Sequence, residues 1–233
     1  MGFKNTLRFL AFLCFRMCFF VSIDAQVPIP PKLDGFWYEN RPSEADSIFI
    51  EAFFDPVCPD SRDSWPGLKQ ALHHYGSRVT LLVHTFPLPY HDNAFVSSRA
   101  LHIVNKLNSS ATYDLLEAFF QHQEKFYGVA TSNMSRAKVN DQIVKFVTIA
   151  VGTSYYSAIK SGLTDSKTDH ATRIAFKYGC SRGVYGTPIF FVNGFALPDK
   201  GSPLDYQGWK GIIDPLLAKK VEIAEEPPVH FFL

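Results

Sequence analysis

A seven-residue apolar run, Ile48-Phe49-Ile50-Glu51-Ala52-Phe53-Phe54, leads at once into Asp55-Pro56-Val57-Cys58-Pro59. A short run of this composition, ended by a turn signal, reads as a buried strand. Behind it, Trp65, Leu68, Leu72 and Tyr75 recur at three- and four-residue intervals, and Gly76 supplies a stop. That is the pattern of an amphipathic helix over 59–75. Proline suits the first helical position, where its missing N–H would have had no partner. Cys58 is therefore the expected N-cap, at the handover from a buried strand to a helix. Pro66, inside the helix, should kink its axis.

The same reading extends along the chain. Val27-Pro28-Ile29-Pro30-Pro31 is an extended lead-in. Trp37 and Tyr38 begin a short strand, and 78–86 forms a second buried strand ended by Pro87 and Pro89. The pattern then turns helical, with segments over 93–107, 111–126, 135–151, 155–162 and 167–178. Strand character returns at 189–192 and near 195–197, and a last helix covers 206–219. Strand, helix, strand, a helical block, then strand, hairpin and helix is an α/β layout.

Residues 1–25 have the make-up of a secretory leader: Lys4 and Arg8, a largely apolar stretch over 9–23, and small Ala25 at the cleavage point. Arg16 interrupts the stretch and argues against a span, which needs ~20 mostly apolar residues. Lys4, Arg8, Arg16 and Asp24 leave with the leader, so 20 basic and 21 acidic side chains remain. No basic stripe is left to favour nucleic acid or an anionic membrane. Cys14 and Cys18 leave as well, and only Cys58 and Cys180 remain. Behind a leader, Asn108-Ser109-Ser110 and Asn133-Met134-Ser135 become candidate glycosylation sites. The final His230-Phe231-Phe232-Leu233 is no retention signal. A secreted protein, or one of the endomembrane lumen, is expected.

Unpaired amides and the helix dipole at an N-terminus favour a thiolate. Asp60, in the same turn, opposes it by like-charge repulsion, which Arg62 could offset. Cys58 followed by Pro59-Asp60-Ser61, Pro66 eight residues after the cysteine, and Gly186-Thr187-Pro188 ahead of Ile189-Phe190-Phe191-Val192 together resemble the thioredoxin superfamily, in its DsbA-like branch. The resemblance implies a thioredoxin-like α/β fold, a central mixed sheet flanked by helices, with a helical insertion over about 93–165. The implied domain covers 47–220, preceded by an extended segment over 26–46 and followed by a tail over 221–233.

It further implies that Cys58 is the nucleophile and that Thr187-Pro188 is a cis-proline loop facing it. Pro59, Asp60, Thr187 and Pro188 would then contact substrate, a disulfide-containing or extended polypeptide. Ser61 stands where the family's resolving cysteine stands. A hydroxyl can hydrogen-bond a thiolate but cannot resolve a mixed disulfide. Cys180 is left as a displaced partner, bonded to Cys58 or resolving it, or as a spare thiol.

Thiol–disulfide exchange through a single motif cysteine is thus the leading expectation. The first rival is a redox-inactive module that holds a peptide by strand addition. A kappa-type glutathione transferase is the second, with glutathione as ligand. No cofactor is required. No His or Cys pair has metal-ligand spacing, and there is no phosphate loop or nucleophile elbow. His73 and His74 should face solvent, His84 should be a satisfied core group, and His91-Asp92 borders the cleft or starts a helix.

Overall fold

The computed structural model describes residues 29–44, 46–198 and 202–225. The leader expected over 1–25, and the part of the tail expected over 221–233 that lies beyond 225, fall outside the described residues. The chain divides into two units, 1–32 and 33–233. Of the first, residues 29–32 are described and carry no helix or strand.

The second unit is built on strands β1 (Phe36–Trp37), β2 (Ile48–Phe54), β3 (Val79–Thr85), β4 (Ile189–Val192) and β5 (Phe195–Ala196). They lie in the order β1-β3-β2-β4-β5. β2 and β3 are parallel, joined through helix α1 (Pro59–Tyr75), and the remaining pairs are antiparallel. This is the mixed sheet flanked by helices that the resemblance implied.

Strand alternation divides the interior into two cores. Phe54 and Phe190 join Trp65, Leu68 and Trp209 in the larger one. Phe53 and Phe191 join Cys58, Phe86, Leu88 and Val184 in the smaller. Fully burying one such ring contributes about 2–3 kcal/mol. The sulfur of Cys58 is thus a packed member of a core as well as the end of a turn.

Between β3 and β4 come α2 (Ala94–Leu107), α3 (Thr112–His122), α4 (Gly128–Thr131), α5 (Arg136–Val151), α6 (Tyr156–Gly162) and α7 (Ser166–Ser181). α8 (Tyr206–Glu225) follows β5 and packs on α1, running past the expected end at 219.

Two departures from the sequence expectation matter for the site. The helix expected over 111–126 ends at His122, whose φ of −135° leaves the helical region, and a 3-10 turn continues over Gln123–Phe126. The helix expected to end at Tyr178 continues to Ser181. Gly179 is no terminator: a Cβ there would lie 2.5 Å from the Phe86 ring, so glycine answers a packing demand. The chain turns instead at Gly183, at φ +76°.

Candidate functional site: the Cys58 turn and the Pro188 loop

The turn after β2 is organised by Asp55, which is fully buried. Its Oδ1 accepts the Val57 N–H at 2.9 Å, its Oδ2 accepts the Leu88 N–H at 3.0 Å, and its carbonyl accepts the Cys58 N–H at 3.0 Å. His91 Nδ1 donates to Oδ2 at 2.8 Å. One carboxylate thus ties the turn to the loop after β3. Cys58 caps α1 in extended geometry, φ −87° and ψ 124°, with Pro59 as the first helical residue.

The Cys58 thiol donates to the Thr187 carbonyl at 3.4 Å. The Thr187–Pro188 peptide bond is cis. Two segments far apart in sequence therefore meet at the sulfur of Cys58, a residue only 3% exposed. Beside them runs a groove of about 520 Å³, lined among others by Asp60, Tyr90, Tyr185, Thr187, Pro188 and Leu204. Tyr90 and Tyr185 stand exposed on its rim, and burial with the nearby Cys58 and carboxylates raises the Tyr90 hydroxyl above its ordinary pKa. The Thr187 hydroxyl is buried and unpartnered.

Ser61 departs from expectation. Its Oγ is fully buried and accepts the Asp55 N–H at 3.3 Å; among the described residues it makes no hydrogen bond to Cys58. The hydroxyl braces the turn rather than the thiol. Arg62 also departs, because it pairs with Asp63 at 2.7 Å and not with Asp60. Cys180 sits exposed in the last turn of α7, and both it and Cys58 are free thiols, so no disulfide joins them. Asn108 caps the end of α2, and Asn133 is exposed just ahead of α5, where Ser135 accepts the Lys138 N–H at 3.3 Å.

Two polar groups escaped the sequence reading. Gln123, fully buried, donates from Nε2 to the carbonyls of Cys58 at 3.1 Å and Pro56 at 3.3 Å. Glu51, inside the apolar run, accepts from Tyr178 at 2.8 Å and pairs with Arg182 at 3.1 Å. Arg182 lies 4.4 Å from the Phe191 ring centre and forms part of the groove wall. His84 is held between Asp34, at 3.1 Å, and Glu51, at 3.4 Å. Burial works against ionising either Glu51 or His84. Their partners outweigh it: His84, Tyr178 and Arg182 lower Glu51, and Asp34 and Glu51 raise His84 from its ordinary value. A lone acid in a buried strand was the available signal for this cluster, since such a charge needs a partner.

Among the described residues, no group of three or more His, Cys, Asp or Glu side chains could hold a metal. No helix there is long and apolar enough to cross a membrane.

The family model of the DSBA-like thioredoxin domain matches residues 49–207, from β2 to the start of α8. The chain belongs to the DsbA-like thioredoxin family. Among solved structures, this DsbA-like chain is similar to alpha-DsbA1 of Wolbachia pipientis, at TM-score 0.61 and 14% identity over 85% of this chain and 96% of that one. MdbA, a thiol-disulfide oxidoreductase from Actinomyces oris, gives TM-score 0.60 and 17% identity over 84% and 93%. The catalytic domain of Proteus mirabilis ScsC gives 0.57 and 17% over 81% and 92%. At these identities the likeness is one of fold. Comparison with curated proteins finds no match.

Proposed function

We propose that this DsbA-like protein carries out thiol–disulfide exchange on extended polypeptides through Cys58 alone. The observation that carries the reading is the free Cys58 thiol at a helix N-terminus, 3.4 Å from the Thr187 carbonyl and next to an open groove. A polypeptide laid in the groove along Thr187 and Pro188, over Pro59 and Asp60, presents its disulfide to the sulfur. The Cys58 thiolate attacks one sulfur of that disulfide. A new S–S bond forms, the substrate S–S bond breaks, and the departing sulfur leaves as a thiolate that takes up a proton.

Ser61 cannot complete the cycle, so release falls to a second thiol. Cys180, exposed on α7, is the internal candidate, and a small external thiol such as glutathione is the other. The secretory leader over 1–25 directs this chemistry to the secretory pathway or beyond, where disulfides persist. Asn108 and Asn133 are the residues placed to carry glycans there.

A redox-inactive peptide-binding module is the second reading, favoured by the near-complete burial of Cys58 and by serine at position 61. Trapping with a model peptide disulfide separates the two, using wild type, Cys58→Ser and Cys180→Ser. A mixed disulfide that survives Cys180→Ser and vanishes with Cys58→Ser supports exchange. Peptide binding with no covalent adduct in any form overturns it. Isothermal titration with glutathione alone tests the transferase-like alternative in the same preparation.

A further inference from the structure

We infer that Gln123 is a positioning residue for the Cys58 thiol, which makes the helical insertion part of the reactive site. This rests on Cys58 being the nucleophile. Pro59 creates the need for it. Pro59 has no N–H, so the peptide unit between Cys58 and Pro59 is anchored only through the Cys58 carbonyl. That oxygen accepts the Arg62 N–H at 3.2 Å from within α1 and Gln123 Nε2 at 3.1 Å from outside it. The same amide also donates to the Pro56 carbonyl at 3.3 Å, in a peptide unit whose Val57 N–H is already held by Asp55.

The orientation of the amide follows from chemistry. Two carbonyls can only accept, so the Gln123 nitrogen must face them. Its Oε1 is left to accept the Tyr127 hydroxyl at 2.7 Å. Burial raises the Tyr127 pKa, with Glu124 adding to the effect and Arg62 opposing it, so the O–H remains a donor. A polar line therefore runs from Tyr127 through a fully buried amide to the backbone of the nucleophile. The main chain bends to provide it, since α3 stops at His122 and Gln123 opens a 3-10 turn.

Disulfide exchange needs the attacking sulfur aligned with the bond it breaks, and a displacement of about 1 Å can cost up to ~100-fold. Alkylation by iodoacetamide demands far less of the surrounding geometry. The test therefore compares two rate constants at Cys58 in a Cys180→Ser background, one with a peptide disulfide and one with iodoacetamide. Gln123→Met keeps the length and removes both donors. Its exchange-to-alkylation ratio should fall by about tenfold. A general loss of stability would instead speed both reactions by exposing the sulfur. Tyr127→Phe, which leaves the amide in place, should lower the ratio in the same direction by a smaller factor, and it carries the test if Gln123→Met does not fold.

An unchanged ratio in a folded Gln123→Met protein, or in Tyr127→Phe if that variant alone folds, overturns the inference and leaves the proposed function standing. A wild-type thiol that alkylates yet forms no mixed disulfide overturns both.

Discussion

Nδ1 of His91 lies 2.8 Å from Oδ2 of Asp55, joining the loop after β3 to the turn that carries Cys58. The same carboxylate accepts two backbone amides, so three donors converge on it. Asp55→Ala would strand the two buried backbone amides and leave the part-buried His91 without this partner. Each stranded donor costs about 1–3 kcal/mol, partly recovered by relaxation. A loss of about 3 kcal/mol is expected in denaturant unfolding, together with faster alkylation of Cys58 as its turn loosens. His91→Ala removes one partner and should cost about 1 kcal/mol. Equal costs for the two changes would show that the backbone amides contribute nothing.

Much of this architecture was legible because it is written locally. The run 48–54, Pro59 behind Cys58 and the spacing of Trp65, Leu68 and Leu72 need no distant information. Cys58 and Pro188 stood out because each sits in a short pattern of its own. Gln123 and Asp55 did not, since what defines them is a partner elsewhere in the chain. Gln123 looked like one more polar residue in a helix, and its hydrogen bond to Cys58 spans 65 positions. The end of the helix expected at 178 was missed for a related reason: the packing of Gly179 against Phe86 is set by a strand-side ring far away in sequence. Serine at 61 suggested a thiol partner, but its oxygen accepts the backbone amide of Asp55.

His84 and His102 should shape stability in opposite senses. His84 is disfavoured as a cation by burial, yet Asp34 and Glu51 prevail and raise its pKa above 6.5. Its contribution is therefore complete below the unfolded value of about 6.5 and is lost as pH rises through the folded one. His102, hydrogen-bonded to Thr85 at 3.1 Å, is pushed down to about 4 by burial. It contributes above about 6.5 and loses that contribution as pH falls towards the folded value. Urea midpoints measured across pH should show His84→Gln lacking the decline on the alkaline side. His102→Gln should lack the decline on the acid side. A wild-type profile in either variant would contradict the corresponding assignment.

Ser61→Cys would place a second thiol one helical turn from Cys58, with only Pro59 and Asp60 between the two. The change sacrifices the hydrogen bond from the Asp55 amide, worth about 1 kcal/mol. In return the new thiolate can attack the mixed disulfide at Cys58, forming an internal disulfide and releasing the substrate sulfur. The lifetime of the trapped peptide adduct should drop by at least about tenfold if resolution is what the native motif lacks. Intact mass would show the protein product short of two hydrogens. An adduct that persists unchanged in Ser61→Cys would mean that position 61 cannot reach the bond.

Glycine-to-alanine changes in α1 and α8 should carry opposite signs. A Cβ on Gly67 would lie 2.5 Å from the Leu204 carbonyl oxygen and 2.9 Å from backbone atoms of Asp205. Backbone cannot swing aside as a side chain does, so the approach of α1 to the segment before α8 requires glycine here. Overpacking of this kind costs about 1–3 kcal/mol, more than the ~1 kcal/mol that alanine gains in helix propensity. Gly211, in α8, has nothing within 4 Å of the same position, so Gly211→Ala should stabilise by up to about 1 kcal/mol. Leu204 also lines the groove beside Pro188, so Gly67→Ala should slow mixed-disulfide formation while Gly211→Ala leaves it alone. Thermal unfolding and the trapping assay read the two effects separately. If both variants gained stability, α1 and the segment before α8 could not approach as closely as they do.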